Sequence, residues 1–222
     1  SGRLTGKDTG PGRLPEPDEI TAIAELLAER ADALPRSLEG RHLVISAGGT
    51  REPLDPVRFL GNRSSGKQGY ALARVAAQRG ARVTLVSGYT TDLAPPSAVS
   101  VVTVRTAQDM QTAVREAAGH ADAVVMAAAV ADFRPTTVAT SKIKKGADEP
   151  DTVPLTRNDD ILAGLVTARA DGELPAGTAI VGFAAETGDE NGDVLTHARA
   201  KFARKKCDLL VVNAVGEGKA FE

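Results

Sequence analysis

The chain has 222 residues, which suits one large domain or one domain with a small appendage. Its hydrophobic share of 42% and charged share of 25% are ordinary for a globular protein, and a formal net charge of -2 does not favour nucleic acid or an anionic membrane as partner. The single cysteine, Cys207, excludes a disulfide within this chain, and three scattered histidines do not favour a zinc site. Because no apolar run reaches the length of a membrane span and no signal peptide is visible, we expect a cytoplasmic protein.

The first 40 residues differ in pattern from the rest. Residues 1–17 are rich in glycine and proline and have no apolar rhythm. Residues 19–34 then carry apolar side chains at helical spacing, and Pro35 is expected to end that helix. We therefore predict a linker and connecting helix over residues 1–40, followed by a nucleotide-binding domain over residues 41–222.

From residue 42 onward, short apolar runs alternate with helical patterns. The predicted strands are residues 43–45, 83–86, 99–104, 123–126, 179–183 and 209–212. Buried apolar strands that alternate with helices are typical of a parallel sheet covered on both sides. The predicted fold class is therefore α/β, Rossmann-like, with a mostly parallel sheet and helices on both faces.

The helical segments carry recognisable end signals. They are predicted at residues 66–78, 107–118, 160–168 and 193–206. Thr106 followed by Asp109 resembles a capping box for the helix at residues 107–118. Asn158 or Asp159 is the expected cap of the helix at residues 160–168. Small or polar residues follow nearly every predicted strand, so the carboxyl ends of the strands are expected to form one ligand crevice.

Two glycine-rich segments invite comparison with nucleotide-binding loops. Residues 61–68 nearly match a P-loop, but Gln68 stands where a hydroxyl should bind magnesium and the preceding strand ends too early. We reject a Walker NTPase and keep the segment as an anion cradle, or simply a loop that caps a helix. Gly48 and Gly49 follow the first strand without a G-x-G-x-x-G pattern, which disfavours a nicotinamide dehydrogenase.

Three further features have both a functional and a plain interpretation. Asp132 follows a buried strand and could accept ribose hydroxyls or hold a cation, or it could cap a turn. The basic run at residues 142–145 could bring lysines onto phosphates from a mobile flap, or it could be a solvated loop. Lys201 and Lys205 share one helix face, which either faces the crevice or is plain surface, while Arg204 is expected to point elsewhere.

Taken together, these segments resemble the phosphopantothenate–cysteine ligase family. The resemblance spans about residues 41–215, with its motifs in order, and is carried by residues 46–59, 62–67, 128–134, 142–145, 160–162, 181–187 and 198–208. The sequence departs from the family's pattern at Asp159, where proline is usual, and at Ala214, where aspartate often stands.

The resemblance implies a reaction in two steps. The carboxylate of 4'-phosphopantothenate attacks the α-phosphate of CTP and releases pyrophosphate, and the amine of cysteine then displaces CMP from the acyl-cytidylate. Such steps need charge neutralisation more than covalent help from the protein, with Mg²⁺ as the expected cofactor and metal ligands that the sequence does not identify.

The resemblance also implies roles for individual residues. Asn62 and Lys142 are the expected catalytic residues, Asn62 by holding the acyl intermediate and Lys142 by binding phosphate from the flap. The substrate is expected at Gly49, Arg58, Asn62, Ser64 and Ser65. The nucleotide is expected at Met126, Ala127, Ala128, Asp132, Lys142, Asp159, Asp160, Ile161, Leu162, Phe183, Lys201 and Lys205.

Partners follow from the same resemblance. The family is commonly a homodimer with its sites near the subunit interface. Residues 10–17 are similar to the end of the flavin-dependent decarboxylase that bacteria fuse to this ligase, so FMN is expected only in that upstream domain. A Rossmann-like dehydrogenase and a non-catalytic nucleotide-binding module remain the alternative hypotheses.

Overall fold

The computed structural model describes residues 2–3, 9–10, 17–30, 34–143, 152–187 and 193–214. Within these residues the elements are β1 (Gly2–Arg3), β2 (Thr9–Gly10), α1 (Pro17–Glu29), β3 (His42–Ala47), β4 (Arg51–Pro53), β5 (Phe59–Gly61), α2 (Lys67–Gln78), β6 (Arg82–Ser87), β7 (Val99–Thr103), α3 (Ala107–Ala118), β8 (Ala123–Met126), β9 (Phe133–Pro135), β10 (Leu155–Arg157), α4 (Ile161–Ala170), β11 (Ala179–Glu186), α5 (Val194–Lys205) and β12 (Leu209–Ala214).

Six of these strands form one parallel sheet in the order β12-β11-β8-β3-β6-β7. The strand β3 is central, with Ile45 opposite Leu85 of β6 on one side and Val125 of β8 on the other. From β3 the chain builds outward to β6 and β7, then returns to β8 on the far side and builds outward again. This reversal between β3 and β8 is the topological switch point of a doubly wound sheet, and it confirms the predicted fold class.

Helices cover both faces of the sheet. On one face, Tyr70 and Ala73 of α2 pack with Leu85 in a buried cluster. On the other face, Met110 of α3 and Leu165 of α4 are fully buried in a second cluster. The helix α5 packs against β11 and β12 and contacts α4. Apolar side chains thus fill both sides of each central strand, which explains why the strands appear in the sequence as continuous apolar runs.

The helix ends show which capping predictions were right. Thr106 and Asp109 form the predicted capping box at α3, with each side chain bonded to the other residue's backbone N–H. The predicted cap of α4 at Asn158 or Asp159 was wrong, because Asp160 is the N-cap and accepts the N–H of Ala163 at 3.1 Å. Three consecutive residues of capping type stand at this point in the sequence, and only the backbone conformation selects one of them.

Besides the strand pair β1–β2, two short antiparallel hairpins were not predicted. The first pairs β4 with β5 and the second pairs β9 with β10, and β4 contacts β9. Each strand has only three residues, which is too short for an alternating pattern to be visible in the sequence. Both hairpins lie in connections that leave the carboxyl ends of β3 and β8, so they flank the switch point.

The predicted connecting helix is present as α1 but ends at Glu29 rather than at Leu34. Its apolar residues Ile20, Leu26 and Leu27 are exposed. The predicted linker over residues 1–17 lies mostly outside the described residues, and the domain boundary at residue 40 stays a prediction. None of the helices that the structure describes is long and apolar enough to cross a membrane.

Two ion pairs join the elements at the amino ends of the strands. Asp122 accepts the N–H of His42 at 2.8 Å and pairs with Arg41 at 2.8 Å. These two contacts lower the pKa of the Asp122 carboxyl. Asp208 pairs with Arg169 at 2.5 Å, and that contact lowers the pKa of the Asp208 carboxyl. Both carboxylates are therefore stabilised in their ionised form by the fold.

These shifts predict an acid-sensitive stability. A carboxyl whose pKa is lower in the folded than in the unfolded chain stabilises the fold above its unfolded pKa of about 3.9, and this contribution is lost as the pH falls through the folded pKa. We expect the urea midpoint to decline as the pH drops from about 5 towards 2. An Asp122→Asn variant should have a lower midpoint at neutral pH and a shallower decline. An unchanged decline in this variant would contradict the assignment to Asp122.

Candidate active site

A cavity of about 910 Å³ opens at the carboxyl ends of the central strands. It is bounded by the residues that follow β8, by the ends of β11 and β12, by the first turns of α2 and α4, and by one face of α5. We call it the strand-end cavity. The cavity extends from the switch point over β8 and β11. In doubly wound sheets ligands bind at the switch point, beyond the carboxyl ends of the strands. The strand-end cavity is therefore the crevice that the sequence predicted.

Glycines allow the loops beside β3 to approach one another closely. A Cβ on Gly49 would lie 2.8 Å from the backbone oxygen of Asn62, and a Cβ on Gly88 would lie 2.5 Å from the oxygen of Gly49. Gly48 has a φ of 75°, in the left-handed region that favours glycine. The glycines after the first strand therefore serve close backbone packing, and they bring Asn62 to the edge of the cavity.

Side chains of β3 and of the connection that follows it hold the residues that follow β8. The hydroxyl of Ser46 accepts the N–H of Ala128 at 3.1 Å, and the hydroxyl of Thr50 accepts the N–H of Ala131 at 2.9 Å. The side-chain amide of Asn62 donates to the oxygen of Val130 at 3.0 Å. These bonds fix residues 128–131, which form a wall of small residues in the cavity, before any ligand arrives. A ligand can therefore approach the backbone of this wall.

The first turn of α2 lines the cavity through Lys67, Gln68 and Gly69. Its N-cap Gly66 has no capping side chain, and this fully described helix has no acidic residue in its first turn. The hydroxyl of Ser64 accepts the N–H of Gly66 at 3.3 Å, and that of Ser65 accepts the N–H of Lys67 at 3.4 Å. The geometry fits the predicted anion cradle, because a helix N-terminus favours negative charge.

The inner face of α5 supplies cations. Lys201 donates to Glu186 at 2.8 Å, and Lys205 is paired with Asp160. Both lysines line the cavity, as the functional interpretation of their spacing predicted. The expectation that Arg204 points elsewhere was wrong, because Arg204 also lines the cavity. It lies three residues after Lys201 and therefore shares its helix face.

The charge balance of the cavity favours an anion. Its lining includes the cations Lys67, Arg157, Lys201, Arg204 and Lys205, against the carboxylates Asp132, Asp159 and Asp160. Burial acts to raise the pKa of Asp160, but hydrogen bonds from Lys205 and from the N–H of Ala163 outweigh it and lower that pKa. Asp160 is thus ionised and keeps Lys205 at the rim, where a phosphate can share it.

Most of the predicted site residues meet in this cavity. Those that line it are Asn62, Ser64, Ser65, Met126, Ala127, Ala128, Asp132, Asp159, Asp160, Ile161, Leu162, Phe183, Lys201 and Lys205. Gly49 lies behind the wall and bonds to Tyr89 through its N–H. Arg58 and Lys142 lie outside the lining, and the guanidinium of Arg58 is paired with Asp55. The remaining lysines of the predicted flap, Lys144 and Lys145, fall outside the described residues.

The sequence interpretation missed Arg157 and Asn158 in the lining. Asn158 donates to the oxygen of Ala131 at 2.8 Å and accepts from Arg134 at 2.9 Å, so it joins β10 to the residues after β8. A polar residue in a short loop gives no sequence signal for such a contact. Among the described residues, no group of three or more His, Cys, Asp or Glu side chains is arranged to hold a metal ion.

Comparison with known proteins places these features in a family. A family model described as the DNA/pantothenate metabolism flavoprotein C-terminal domain matches residues 38–222. The coenzyme A biosynthesis bifunctional protein CoaBC of Mycobacterium tuberculosis is 68% identical over 222 residues, which cover 100% of this chain and 53% of that protein. The protein of the same name from Vibrio parahaemolyticus is 45% identical over 216 residues, which cover 96% of this chain and 50% of that protein.

A solved structure agrees with the sequence matches. The crystal structure of the C-terminal domain of CoaBC is 41% identical, with a TM-score of 0.66, and the match covers 80% of this chain and 79% of that chain. The chain spans about half the length of the curated relatives it matches. The family match covers the whole sheet and every residue that lines the strand-end cavity. The chain therefore belongs to the DNA/pantothenate metabolism flavoprotein C-terminal domain family.

Proposed function

We propose that the chain is a ligase that joins 4'-phosphopantothenate to cysteine at the expense of CTP. The observation that carries the proposal is the strand-end cavity, where the N-terminus of α2 and the cationic face of α5 meet a wall of small residues. A nucleoside triphosphate has the charge and size for such a cavity. The names of the relatives, which are coenzyme A biosynthesis proteins, and the motif resemblance support the choice of substrates.

The proposed reaction activates a carboxylate that is otherwise a poor electrophile. A carboxylate oxygen of 4'-phosphopantothenate bonds to the α-phosphorus of CTP, and the bond from that phosphorus to pyrophosphate breaks. The amine of cysteine then bonds to the acyl carbon, CMP leaves with the shared oxygen, and the nitrogen loses a proton. Negative charge develops on phosphate oxygens in the first step, so the cations of the cavity contribute by electrostatic stabilisation.

The residues divide by their place in the cavity. Lys201 and Lys205 are proposed to bind the phosphates, because they are two of the three cationic side chains with which α5 lines the cavity, Arg204 being the third. Met126 ends β8 and Phe183 lies in the neighbouring strand β11, and the two are proposed to frame the base. Asp132 is proposed to bind the ribose. Asn62 donates to a backbone oxygen through its amide nitrogen, which leaves its amide oxygen available to the acyl intermediate.

Lys142, unlike the two α5 lysines, does not lie at the cavity. Its side chain is exposed and lies outside the cavity lining. The proposal therefore requires Lys142 to approach the phosphates after the nucleotide has bound, as the flap hypothesis holds. Closure of a segment onto bound substrate is a common way to complete a catalytic site.

Magnesium fits this site as an ion that is bound together with the nucleotide phosphates. The described residues offer single carboxylates at the cavity, such as Asp132 and Asp159, and no dedicated cluster. Mg²⁺ is usually held by one or two carboxylates together with substrate phosphates, and this donor set agrees with that pattern. When bound, the ion supplies further charge neutralisation on the phosphates.

The proposed partners are a second copy of the chain and an upstream decarboxylase domain that carries FMN. Several apolar side chains are exposed on or beside the two hairpins, namely Val57, Phe59, Leu60, Phe133, Val153 and Leu155. An exposed apolar patch of this kind is typical of an interaction surface, and a homodimer that covers it is part of the proposal.

The function is tested by separating the two steps. The chain is incubated with Mg²⁺, 4'-phosphopantothenate and either CTP or ATP, first without and then with cysteine, and pyrophosphate and nucleoside monophosphate are measured. We expect pyrophosphate release that requires 4'-phosphopantothenate and prefers CTP, and CMP release that requires cysteine. A preference for ATP would overturn the choice of nucleotide. Tight CTP binding without turnover would indicate a non-catalytic module, and the absence of both from a folded chain would refute the proposal.

A further inference from the structure

Asp55 lies in the turn between β4 and β5. Its side chain is fully buried. One carboxylate oxygen accepts the N–H groups of Val57 and Arg58, both at 2.8 Å, and the other accepts from Nε and Nη2 of Arg58 at 3.0 and 2.8 Å. Burial acts to raise the pKa of the Asp55 carboxyl, but these hydrogen bonds hold it well below its usual range. A charged, bidentate pair is therefore built into this turn.

The same pair holds a distant residue of the chain. The N–H of Ile143 donates to Oδ2 of Asp55 at 3.2 Å, and Nη2 of Arg58 donates to the backbone oxygen of Ile143 at 3.1 Å. Both polar backbone groups of one residue are thus bound by one ion pair. A third contact adds to them, because the N–H of Ala139 donates to the oxygen of Leu54 at 3.0 Å. The segment 139–143 is therefore docked onto the turn 54–58 at both of its ends.

We propose that Asp55 and Arg58 are positioning residues for Lys142, an inference that rests on the proposed function of this lysine. The N–H of Ile143 belongs to the peptide bond that directly follows Lys142. When that peptide bond is held, the direction in which the Lys142 side chain leaves the backbone is restricted. With the backbone of residues 139–143 docked, only the Lys142 side chain has to be ordered when it approaches the nucleotide, which lowers the cost of that step in each turnover.

This assignment gives Arg58 a different role from the one predicted. The family resemblance placed Arg58 among the substrate-binding residues. Its guanidinium is already engaged with the carboxylate of Asp55 and with the oxygen of Ile143. Asp55 was not singled out in the sequence, because its partner Ile143 lies 88 residues away along the chain.

The test is Asp55→Asn, which keeps the shape of the side chain. An asparagine amide nitrogen cannot accept from the N–H of Ile143 and would face the donors of Arg58. We expect amide hydrogen exchange at Ile143 to become faster by about tenfold or more, and kcat for pyrophosphate release to fall by about 10- to 100-fold with little change in the KM for CTP. In a Lys142→Ala background the same substitution should cost less than about twofold, because residues that act through one another are not additive.

Asp122→Asn is the matched control. Asp122 also pairs with one arginine and accepts a backbone N–H, one where Asp55 accepts three, but it lies at the opposite end of the sheet. We expect it to lower stability without changing kcat. Equal losses of kcat for Asp55→Asn in the wild-type and Lys142→Ala backgrounds would overturn the positioning role alone. Absence of pyrophosphate release from the wild-type chain would instead overturn the proposed function and the positioning role with it.

Discussion

Replacing Lys205 with alanine is expected to weaken the binding of Mg·CTP by about 10- to 100-fold, or about 1.4 to 2.8 kcal/mol. The Lys205 side chain is only 14% exposed and is paired with Asp160 at the rim of the cavity. Without the ammonium group the triphosphate loses one cation and also meets an uncompensated carboxylate. Both changes act in the same direction, so the loss should exceed that of an ordinary surface charge. Isothermal titration calorimetry at fixed ionic strength measures it.

A second substitution separates these two causes. In the Lys205→Ala background, Asp160→Asn should recover part of the lost affinity, because asparagine still caps α4 but carries no charge. Lys206→Asn is the matched control for net charge, since Lys206 is exposed, ends the same helix in the left-handed region and does not line the cavity. Asparagine tolerates that backbone conformation. If Lys206→Asn weakened CTP binding as much as Lys205→Ala, the site on α5 would be wrong.

Gly69→Ala is expected to destabilise the fold by about 1–3 kcal/mol, although alanine is the better helix former. A Cβ at Gly69 would lie 2.5 Å from the Cβ of Ala47 and 2.9 Å from the oxygen of Ser46, both on the central strand β3. Neither neighbour is the end of a flexible side chain, so α2 must move away from the sheet. The midpoint of thermal unfolding should fall by about 2–4 °C for each kcal/mol in a protein of this size.

The matched control is Gly164→Ala in α4, where a Cβ would meet nothing within 4 Å. Here the same change should stabilise the fold by about 0.5–1 kcal/mol, because only the backbone entropy of glycine is removed. The two variants are thus predicted to shift the unfolding midpoint in opposite directions. A rise of the midpoint in both would show that helix propensity, and not the approach of α2 to β3, decides the effect at Gly69.

The inner strands of the sheet were predictable because helices cover both of their faces, whereas the edge strand β7 is partly exposed and was predictable from its apolar run alone. Burial on both faces demands continuous apolar runs, and the six runs that were predicted as strands all became strands of the sheet. The main helices were predictable because each has one apolar face and a recognisable end, as at Thr106. The hairpins β4–β5 and β9–β10 were not predictable, because three-residue strands are stabilised by their neighbours rather than by their own pattern.

At the site, the sequence by itself determined which residue types stand at the carboxyl ends of the strands. Parallel strands bring those ends to one edge, so Met126 and Phe183 were expected together, while the family resemblance added Lys201 and Lys205, and all four line the cavity. Only the tertiary structure decided the contacts between distant segments. The bond from Asn158 to Ala131 and the hold of Asp55 and Arg58 on Ile143 depend on how separate loops dock. No local period or spacing encodes such docking, because it follows from the packing of the whole sheet.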